Sequence, residues 1–469
     1  MKFGGTSVGS VLAFERVVGL VERAARETRP VVVVSAMNRF TDALVQADIT
    51  AAAGSPRAGA ESLETHFERY SEVAREFLKP DAAAAFESAL SDARRELADL
   101  LVEAKDAFDS GVGRERRRAI VSDAVVSYGE QLSSILLAAV LRERGLDARQ
   151  VDARRCIITD DEHCRANPLK EETDRHTREE LLPLIEEGAI PVLGGFIASS
   201  AATGKTTTLG RGGSDYTAGL VGAALRSDEI QIWTDVSGVL TADPRVVAEA
   251  RTIPRLSYAE AAELAYFGAK VLHPKTILPA VVRNIPVRIG NSGEPDSPDT
   301  VVYFDAEMTP RTVKAIAHKK GVSIVHITSA RMLGAYGFLR AIFEVFERHR
   351  TAVDIVTTSE VSVSLSLEET SALPEIIADL EKISAVKFES ERAIVCIIGE
   401  GLRTTPGIAG RVFSTIKDIN VLLVSQGASS VNLTFVVEEQ HVEEAVRRLH
   451  AAFFECATSE LLAHIGGGN

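Results

Sequence analysis

Along the first two thirds of the chain, apolar positions follow two periods. At 11–28, Val17, Leu20, Val21 and Ala24 recur at helical spacing, and Pro30 ends the run. At 31–37, VVVVSAM is nearly continuously apolar, the pattern of a strand buried on both faces. A very short strand ending near Lys2 precedes Gly4-Gly5, and Thr6-Ser7 are helix-capping types. Strand, helix, strand at this length predicts a βαβ unit and a parallel sheet. Residues 42–118 predict several amphipathic helices with short loops such as SPRAG at 55–59. A turn near Ser127-Gly129 then opens a helix with Glu130 near its start. Strands are expected at 146–158, 189–199, 229–240 (with its exit loop) and 285–291, and helices at 173–187 and from 257 to Gly268. The Pro/Ser/Gly-rich stretch 292–300 marks a boundary.

The last third carries a repeat. Gly337 and Gly407 open matching segments; Phe343 matches Phe413 and Val363 matches Leu433 at the same offsets. Each copy reads as loop, helix, strand, turn, strand, which predicts two similar small α+β domains packed as a pair. A pair of such units serves dimerisation alone or holds a small ligand at its interface.

Composition narrows the class. A chain of 469 residues holds roughly two to four domains. Its net charge of −14 argues against a nucleic-acid surface and against an anionic membrane. No apolar run of transmembrane length and no signal-peptide core are read in it. Cys156, Cys164, Cys396 and Cys456 make no disulfide framework, so a cytoplasmic, reducing setting is expected. Cys164 lies beside Asp160, Asp161 and His163, but the spacing fits no common zinc pattern, and no metal site is expected in the protein itself.

Candidate chemistry centres on 206–225, TTTLGRGGSDYTAGLVGAAL. Gly210, Gly212 and Gly213 permit a tight turn or a close ligand approach, and Ser214 and Asp215 stand where a helix begins. Backbone N–H groups at such a helix start suit an anion, and Arg211 adds a planar fork for carboxylate or phosphate. Ligands of parallel sheets sit beyond the strands' carboxyl ends, which gathers Lys2, Gly4, Gly5, Ser35, Thr41, Thr234 and Asp235 on one rim. Glu130 is either a helix-start acid favoured by the dipole or a carboxylate aimed at a substrate ammonium.

The motifs KFGGTSV (2–8), VVVVSAM…TD (31–42), YGEQLSS (128–134), TTTLGRGGSDYTA (206–218), WTDVSGVLTADPR (233–245) and FGAKVLHP (267–274), in this order, resemble the aspartate kinase (aspartokinase) family over essentially the whole chain. The C-terminal repeat looks like that family's tandem ACT domains. GFL (337–339) and VDIVTTSEVSVSL (353–365) are most similar to the monofunctional, lysine-inhibited branch. The resemblance implies an amino-acid-kinase αβα sandwich with a mostly parallel sheet at 1–300, then two ferredoxin-like ACT domains at 311–390 and 391–465 whose strands interleave. With the sequence ending at Asn469, the homoserine dehydrogenase fused to some relatives is not expected.

The resemblance also implies an activity and its residues. The γ-phosphoryl group of ATP, with Mg²⁺, would pass to the β-carboxylate of L-aspartate, giving 4-phospho-L-aspartate. Lys2 would stabilise the transferring group, with Phe3, Gly4 and Gly5 lining the phosphates, and Asp215 would orient Lys2. Glu130 would pair with the substrate ammonium and Arg211 with a substrate carboxylate. Ser35, Thr41, Gly212, Gly213 and Ser214 would complete the aspartate site. Thr234, Asp235, Leu240, Arg245, Lys270 and Val271 would contact ATP; Leu240 stands where many relatives carry a tyrosine. L-Lysine would be held by Met332, Ala335, Phe338, Leu339, Ala352, Val353, Asp354, Ser359 and Glu360, with alanines at 335 and 352 where that branch has serines. A homodimer through the ACT domains, or a tetramer, is expected. Two alternatives are another carboxylate kinase of the superfamily and a catalytically silent lysine sensor.

Overall fold

The computed structural model describes residues 1–109, 113–268, 274–304, 313–333, 336–368, 370–427 and 429–455. Packing divides the chain into two units. The first is Met1–Val239, Pro254–Tyr258 and Val271–Ala306; the second is Leu240–Ile253, Ala259–Lys270 and Glu307–Asn469.

The first unit is built on strands β1 (Lys2–Phe3), β2 (Val32–Val34), β3 (Ala148–Val151), β4 (Ile158–Thr159), β5 (Ile190–Gly194), β6 (Ile197–Ser200), β7 (Thr206–Thr208), β8 (Ile230–Thr234), β9 (Arg255–Ser257), β10 (Val287–Asn291) and β11 (Thr300–Tyr303). Eight of them form one sheet, ordered β3-β5-β2-β1-β8-β10-β11-β9, and β4-β6-β7 form another. Every neighbouring pair of the large sheet is parallel except β10 and β11. The helices are α1 (Val11–Ala25), α2 (Phe40–Ala52), α3 (Pro56–Glu61), α4 (Glu64–Phe77), α5 (Pro80–Asp109), α6 (Arg114–Val126), α7 (Tyr128–Glu143), α8 (Lys170–Glu186), α9 (Gly213–Leu225) and α11 (Pro274–Arg283); α10 (Tyr258–Tyr266), past its first residue, belongs to the second unit. Phe14, Val17 and Val21 of α1 share one buried cluster with Val32 and Val34 of β2 and Leu136 and Leu137 of α7. Each such side chain contributes about 1.5–3 kcal/mol by leaving water. That burial pins the βαβ unit and fixes where β1 and β2 end.

Several sequence expectations shift. Helix α1 stops at Ala25 because Arg26 N–H and the Thr28 hydroxyl take up carbonyls of its last turn. SPRAG is not a loop: Pro56 occupies the first helical position, where its missing N–H costs nothing, and α3 runs from it. The strand expected at 146–158 breaks at Asp152, whose carboxylate accepts from Arg154 N–H at 3.0 Å and forms a turn. The strand expected at 189–199 divides into β5 and β6 at Gly194-Gly195. The stretch 292–300 precedes one more strand of the first unit, since β11 follows it and pairs with β10, and the second unit resumes at Glu307. Finally, α6 and α7 together, Arg114–Glu143, are long and apolar enough to cross a membrane, contrary to the reading that no run is; 72% of the apolar window is buried inside the protein, as in a core helix.

The second unit has strands β12 (Ala315–Thr328), β13 (Val356–Thr358), β14 (Ser362–Leu367), β15 (Ala385–Ile398), β16 (Leu423–Gln426) and β17 (Asn432–Glu438), and helices α12 (Phe338–Arg348), α13 (Leu373–Leu380), α14 (Ile408–Thr415) and α15 (Val442–His450). They form one sheet, β13-β14-β12-β15-β17-β16. Residues 324–328 of β12 pair with 362–366 and 385–389, whereas 315–319 pair with 394–398 beyond a register shift at Gly321. Each half of β12 therefore serves a different repeat. The repeat itself is α12-β13-β14 and α14-β16-β17. Val363 faces Ile327 as Leu433 faces Ile397, and all four are buried. The segment 240–253 joins this unit through Thr241, hydrogen-bonded to buried His450 at 2.9 Å. Helix α10 joins through Glu260, paired with buried Lys314 at 2.8 Å.

Candidate active site

The carboxyl ends of β2, β1 and β8 lie side by side. Ser35 N–H donates to Phe3 O at 3.0 Å, and Gly4 N–H donates to Trp233 O at 3.1 Å. The chain then folds tightly: a Cβ on Gly5 would lie 2.7 Å from Ala36 O. Lys2 and Phe3 are buried, and Lys2 Nζ reaches 2.6 Å from Asp215 Oδ1. The contact is ionic, since its angles do not make a hydrogen bond. Side-chain exposures of 10% and 16% leave the pair little screened. Asp215 lies in the first turn of α9, where the helix dipole favours a negative charge.

Glu130 is the second element of this site. It is in the first turn of α7 and only 3% exposed. Burial pushes its carboxyl up to about 8, against the Ala36 N–H and the Lys2 charge, which favour the anion. Its Oε2 is buried without a hydrogen-bond partner. Such an atom is costly until a ligand supplies a donor. Close backbone approach makes this burial possible. A Cβ on Gly194 would sit 2.8 Å from Glu130 O, and one on Gly129 2.6 Å from Ala36 Cβ. A Cβ on Gly195 would meet Ser214 at 2.7 Å. The sequence names Gly129 only as the end of a turn and does not single out Gly194 and Gly195, although the GG after a buried run is a visible signal.

The glycine turn differs from its expected form. Gly212, at φ 72°, is the N-cap of α9, and the helix starts at Gly213. Ser214 and Asp215 therefore lie within the first turn rather than capping it, because only glycine adopts that left-handed cap without strain. Gly213 packs so closely on Phe196 that a Cβ would come within 2.7 Å of its ring. Arg211 is exposed on this turn and Ser214 is half-buried. Thr41 is half-buried in the first turn of α2, just past Asn38, whose N–H donates to Gly5 O.

The expected nucleotide residues fall in both units. Thr234 ends β8, donates to Asp235 at 3.1 Å, and its carbonyl accepts from Ser292 N–H at 2.8 Å. Ser292 in turn bonds Ser7 at 2.7 Å, a link between KFGGTSV and NSG that the sequence did not suggest. Leu240 forms an isolated bridge to Thr252, and exposed Arg245 pairs with Asp243 at 2.6 Å, both in the second unit. Lys270 and Val271 lie outside the described residues.

The expected effector residues lie in the second unit. Gly337 caps α12, which starts at Phe338; Leu339 is 43% exposed, and Met332 and Val353 are half-buried. Ala352 and Glu360 are exposed, and Ser359 bonds Ser362 in the β13–β14 turn at 2.6 Å. Ala335 lies outside the described residues. Asp354 already has partners: the Tyr266 hydroxyl donates to Oδ1, and Lys319 Nζ lies 3.8 Å away. Its Oδ2 is buried without one. Among the described residues no group of His, Cys, Asp and Glu could hold a metal ion. His163 instead pairs with Asp123 at 2.7 Å.

Residues 1–291 match the model of the Amino acid kinase family, and 395–453 match an ACT domain. Aspartokinase 3, chloroplastic, of Arabidopsis thaliana is 38% identical over 481 aligned positions, covering 100% of this chain and 84% of the relative. The chain belongs to the aspartokinase family. The lysine-sensitive aspartokinase 3 of Escherichia coli (strain K12) is 40% identical over 71% of this chain and 76% of its own length. The crystal structure of E. coli aspartokinase III in complex with aspartate and ADP (R-state) superposes with a TM-score of 0.81 at 35% identity, covering 97% of this chain and 99% of that one. The same enzyme in complex with lysine and aspartate (T-state) gives 0.79 at 36% identity, with the same coverage. The amino-acid-kinase domain with C-terminal ACT modules, expected from the motifs, is thus the aspartokinase architecture.

Proposed function

We propose that the rim formed by β1, β2 and β8 transfers the γ-phosphoryl group of ATP to the β-carboxylate of L-aspartate. The observation that carries this reading is the gathering on one rim of a buried ion pair, Lys2 held by Asp215, and a buried carboxyl, Glu130, with an oxygen left open. The nucleophile is already an anion, so no general base is required. The difficulty is bringing two anions together and spreading transition-state charge, which fixed cations and dipoles do well in a dry site. Lys2 would neutralise the transferring group, and the Gly4 and Gly5 turn would let the phosphates approach the backbone. Asp215 would keep Lys2 aimed. Glu130 Oε2 would accept from the substrate ammonium, which holds the carboxylate anionic against its burial. Arg211 would take a substrate carboxylate, with Ser35, Thr41, Gly212, Gly213 and Ser214 around it.

Thr234, Asp235, Leu240, Arg245, Lys270 and Val271 would contact the nucleotide. Mg²⁺, when bound, would neutralise phosphate charge, carried largely on the phosphates and water. For the second unit we read Asp354, Glu360 and the start of α12 as the site of L-lysine, on a homodimer or tetramer built through the ACT modules. Cys156, Cys164 and Cys396 are free, in keeping with a reducing compartment, cytoplasmic by this reading. The test is ADP release from Mg-ATP with L-aspartate, with and without millimolar L-lysine. Aspartate-dependent turnover suppressed by lysine is the expected result. Turnover on glutamate or acetylglutamate instead would overturn the substrate, and lysine binding without turnover would favour a sensor.

A further inference from the structure

A buried polar cluster outside the residues considered so far ends on the arginine turn. Asp123, in α6, is 1% exposed. It has no lysine or arginine partner among the described contacts, yet four donor contacts converge on its two oxygens. The Thr208 hydroxyl donates to Oδ1 at 2.5 Å. Cys164 N–H reaches both oxygens, at 3.1 and 2.9 Å. His163 Nδ1 lies 2.7 Å from Oδ2. Such a carboxylate is expensive to bury and is kept only where its bonds fix something in place.

What they fix is the approach to Arg211. Thr208 is the last residue of β7, three positions before Arg211. Its carbonyl accepts from Ala166 N–H at 2.9 Å, so the 163–166 loop grips both sides of Thr208. Cys164 takes a left-handed conformation, φ 68°, which a side-chain-bearing residue rarely adopts. Both oxygens of Asp123 face the N–H of that residue. The Cys164 carbonyl comes next to Gly210, 3.7 Å from where a Cβ would be. On the far side of the turn, Leu209 N–H donates to the carbonyl of Phe196, itself at φ 67°. Strained residues thus flank the turn on both sides, as at sites where geometry is imposed. Arg211 itself is exposed, and among the described contacts no carboxylate within ion-pair distance aims it, which leaves that to its backbone turn.

We propose that the buried Asp123–His163 pair, acting through Thr208, is the positioning device that aims Arg211 at the substrate carboxylate. The pair touches no substrate. It sets affinity for the amino-acid substrate by holding the turn in one conformation, which cuts the ordering cost of binding. This rests on the reading of Arg211 as the carboxylate clamp.

The experiment is a steady-state comparison of Thr208→Val, Thr208→Ser, Arg211→Ala and the double variant Thr208→Val/Arg211→Ala. Valine keeps the shape and removes the hydroxyl; serine keeps the hydroxyl. Thr208→Val is expected to raise KM for aspartate about tenfold, the scale of one hydrogen bond to a charged group. KM for ATP and kcat should stay within about twofold, and Thr208→Ser should restore the aspartate KM. The double variant should be no worse than Arg211→Ala, because one acts through the other. An unchanged aspartate KM in Thr208→Val, with or without a lower melting temperature, overturns the proposal while Arg211→Ala still raises that KM. Effects that multiply in the double variant overturn it too. If Arg211→Ala leaves the aspartate KM unchanged, the clamp reading fails and the proposal with it. Should Thr208→Val not fold, His163→Gln tests the same link and must raise the aspartate KM without touching that of ATP.

Discussion

Glu130 on the kinase rim and Asp354 in the first ACT repeat each bury one carboxylate oxygen without a partner, yet their surroundings differ. Around Glu130 the backbone closes in through Gly129 and Gly194 and leaves the second oxygen to a ligand. Around Asp354 the protein supplies its own donors. Tyr266 gives a hydroxyl to Oδ1, and Lys319 brings an ammonium to 3.8 Å that also lies 5.1 Å from the Tyr266 ring centroid. A ligand at Glu130 relieves a burial penalty. A ligand ammonium at Asp354 meets an internal one nearby, although Lys319 is held closer to Glu368, at 2.6 Å. On the reading proposed above, the rim gains by binding its substrate, whereas Asp354 already has partners of its own before any effector arrives.

The largest effect should come from breaking the first region at its centre. Lys2→Ala removes the cation that, by the proposed reading, faces the transferring group, and it leaves Asp215 without its ion-pair partner. Turnover should fall about 10²- to 10³-fold, the range for loss of one preorganised charge stabiliser, with the circular dichroism spectrum preserved. Near-normal turnover would take Lys2 out of the mechanism.

Glu130→Gln comes next and separates burial from charge. The amide keeps the shape and loses the anion, so the aspartate KM should rise about 10- to 100-fold while the ATP KM holds. A change in ATP use alone would reassign the residue. The same variant tests the pH argument. The folded carboxyl sits at about 8 and an ordinary one at 4.5, so the folded state holds the proton more tightly. Its contribution to stability is complete below pH about 4.5 and is lost as pH rises through 8, at no more than about 1.4 kcal/mol per unit. In the free enzyme this loss should appear between those limits, and in Glu130→Gln it should vanish. A slope unchanged by the substitution would mean that Glu130 is not the buried acid responsible.

How much of each region was legible differs for a physical reason. The rim was readable because glycine turns and strand ends are local. Gly4, Gly5, Arg211 and Asp215 announce themselves within motifs, and the parallel sheet follows from alternating patterns. The glycine walls behind Glu130 and the Asp123–His163 pair were not. Asp123 looks like any acid on a helix, and His163 lies 40 positions away in a polar loop, so only the fold joins them. The same holds for the second unit. Neither the capture of 240–253 by His450 nor the sharing of β12 between repeats leaves a mark on sequence order. SPRAG and 292–300 misled because proline and glycine signal turns whether they end an element or begin one.

Glu360→Ala takes the comparison to the effector side, where effects should be smaller. Glu360 is exposed and free of the internal competition at Asp354. Its loss should raise the lysine concentration for half-inhibition severalfold, on the order of a partly screened charge contact, with basal turnover unchanged. Unchanged inhibition would move the effector site elsewhere.

The finest test replaces Tyr266 by phenylalanine. The ring remains, so its stacking on Phe267 at 5.0 Å and its place under Lys319 are retained. Only the hydroxyl that donates to Asp354 is lost. If that hydroxyl stands in for part of the effector, Asp354 becomes hungrier for an external donor. Half-inhibition by lysine should then shift to about two- to fivefold lower concentration, the worth of one net hydrogen bond. Turnover without lysine should not move, because all that is lost is one hydroxyl bonded to Asp354 within the second unit. A shift to higher lysine concentration would reverse the argument: the hydroxyl would then be part of the ligand's own site, and Asp354 would resemble Glu130 rather than contrast with it.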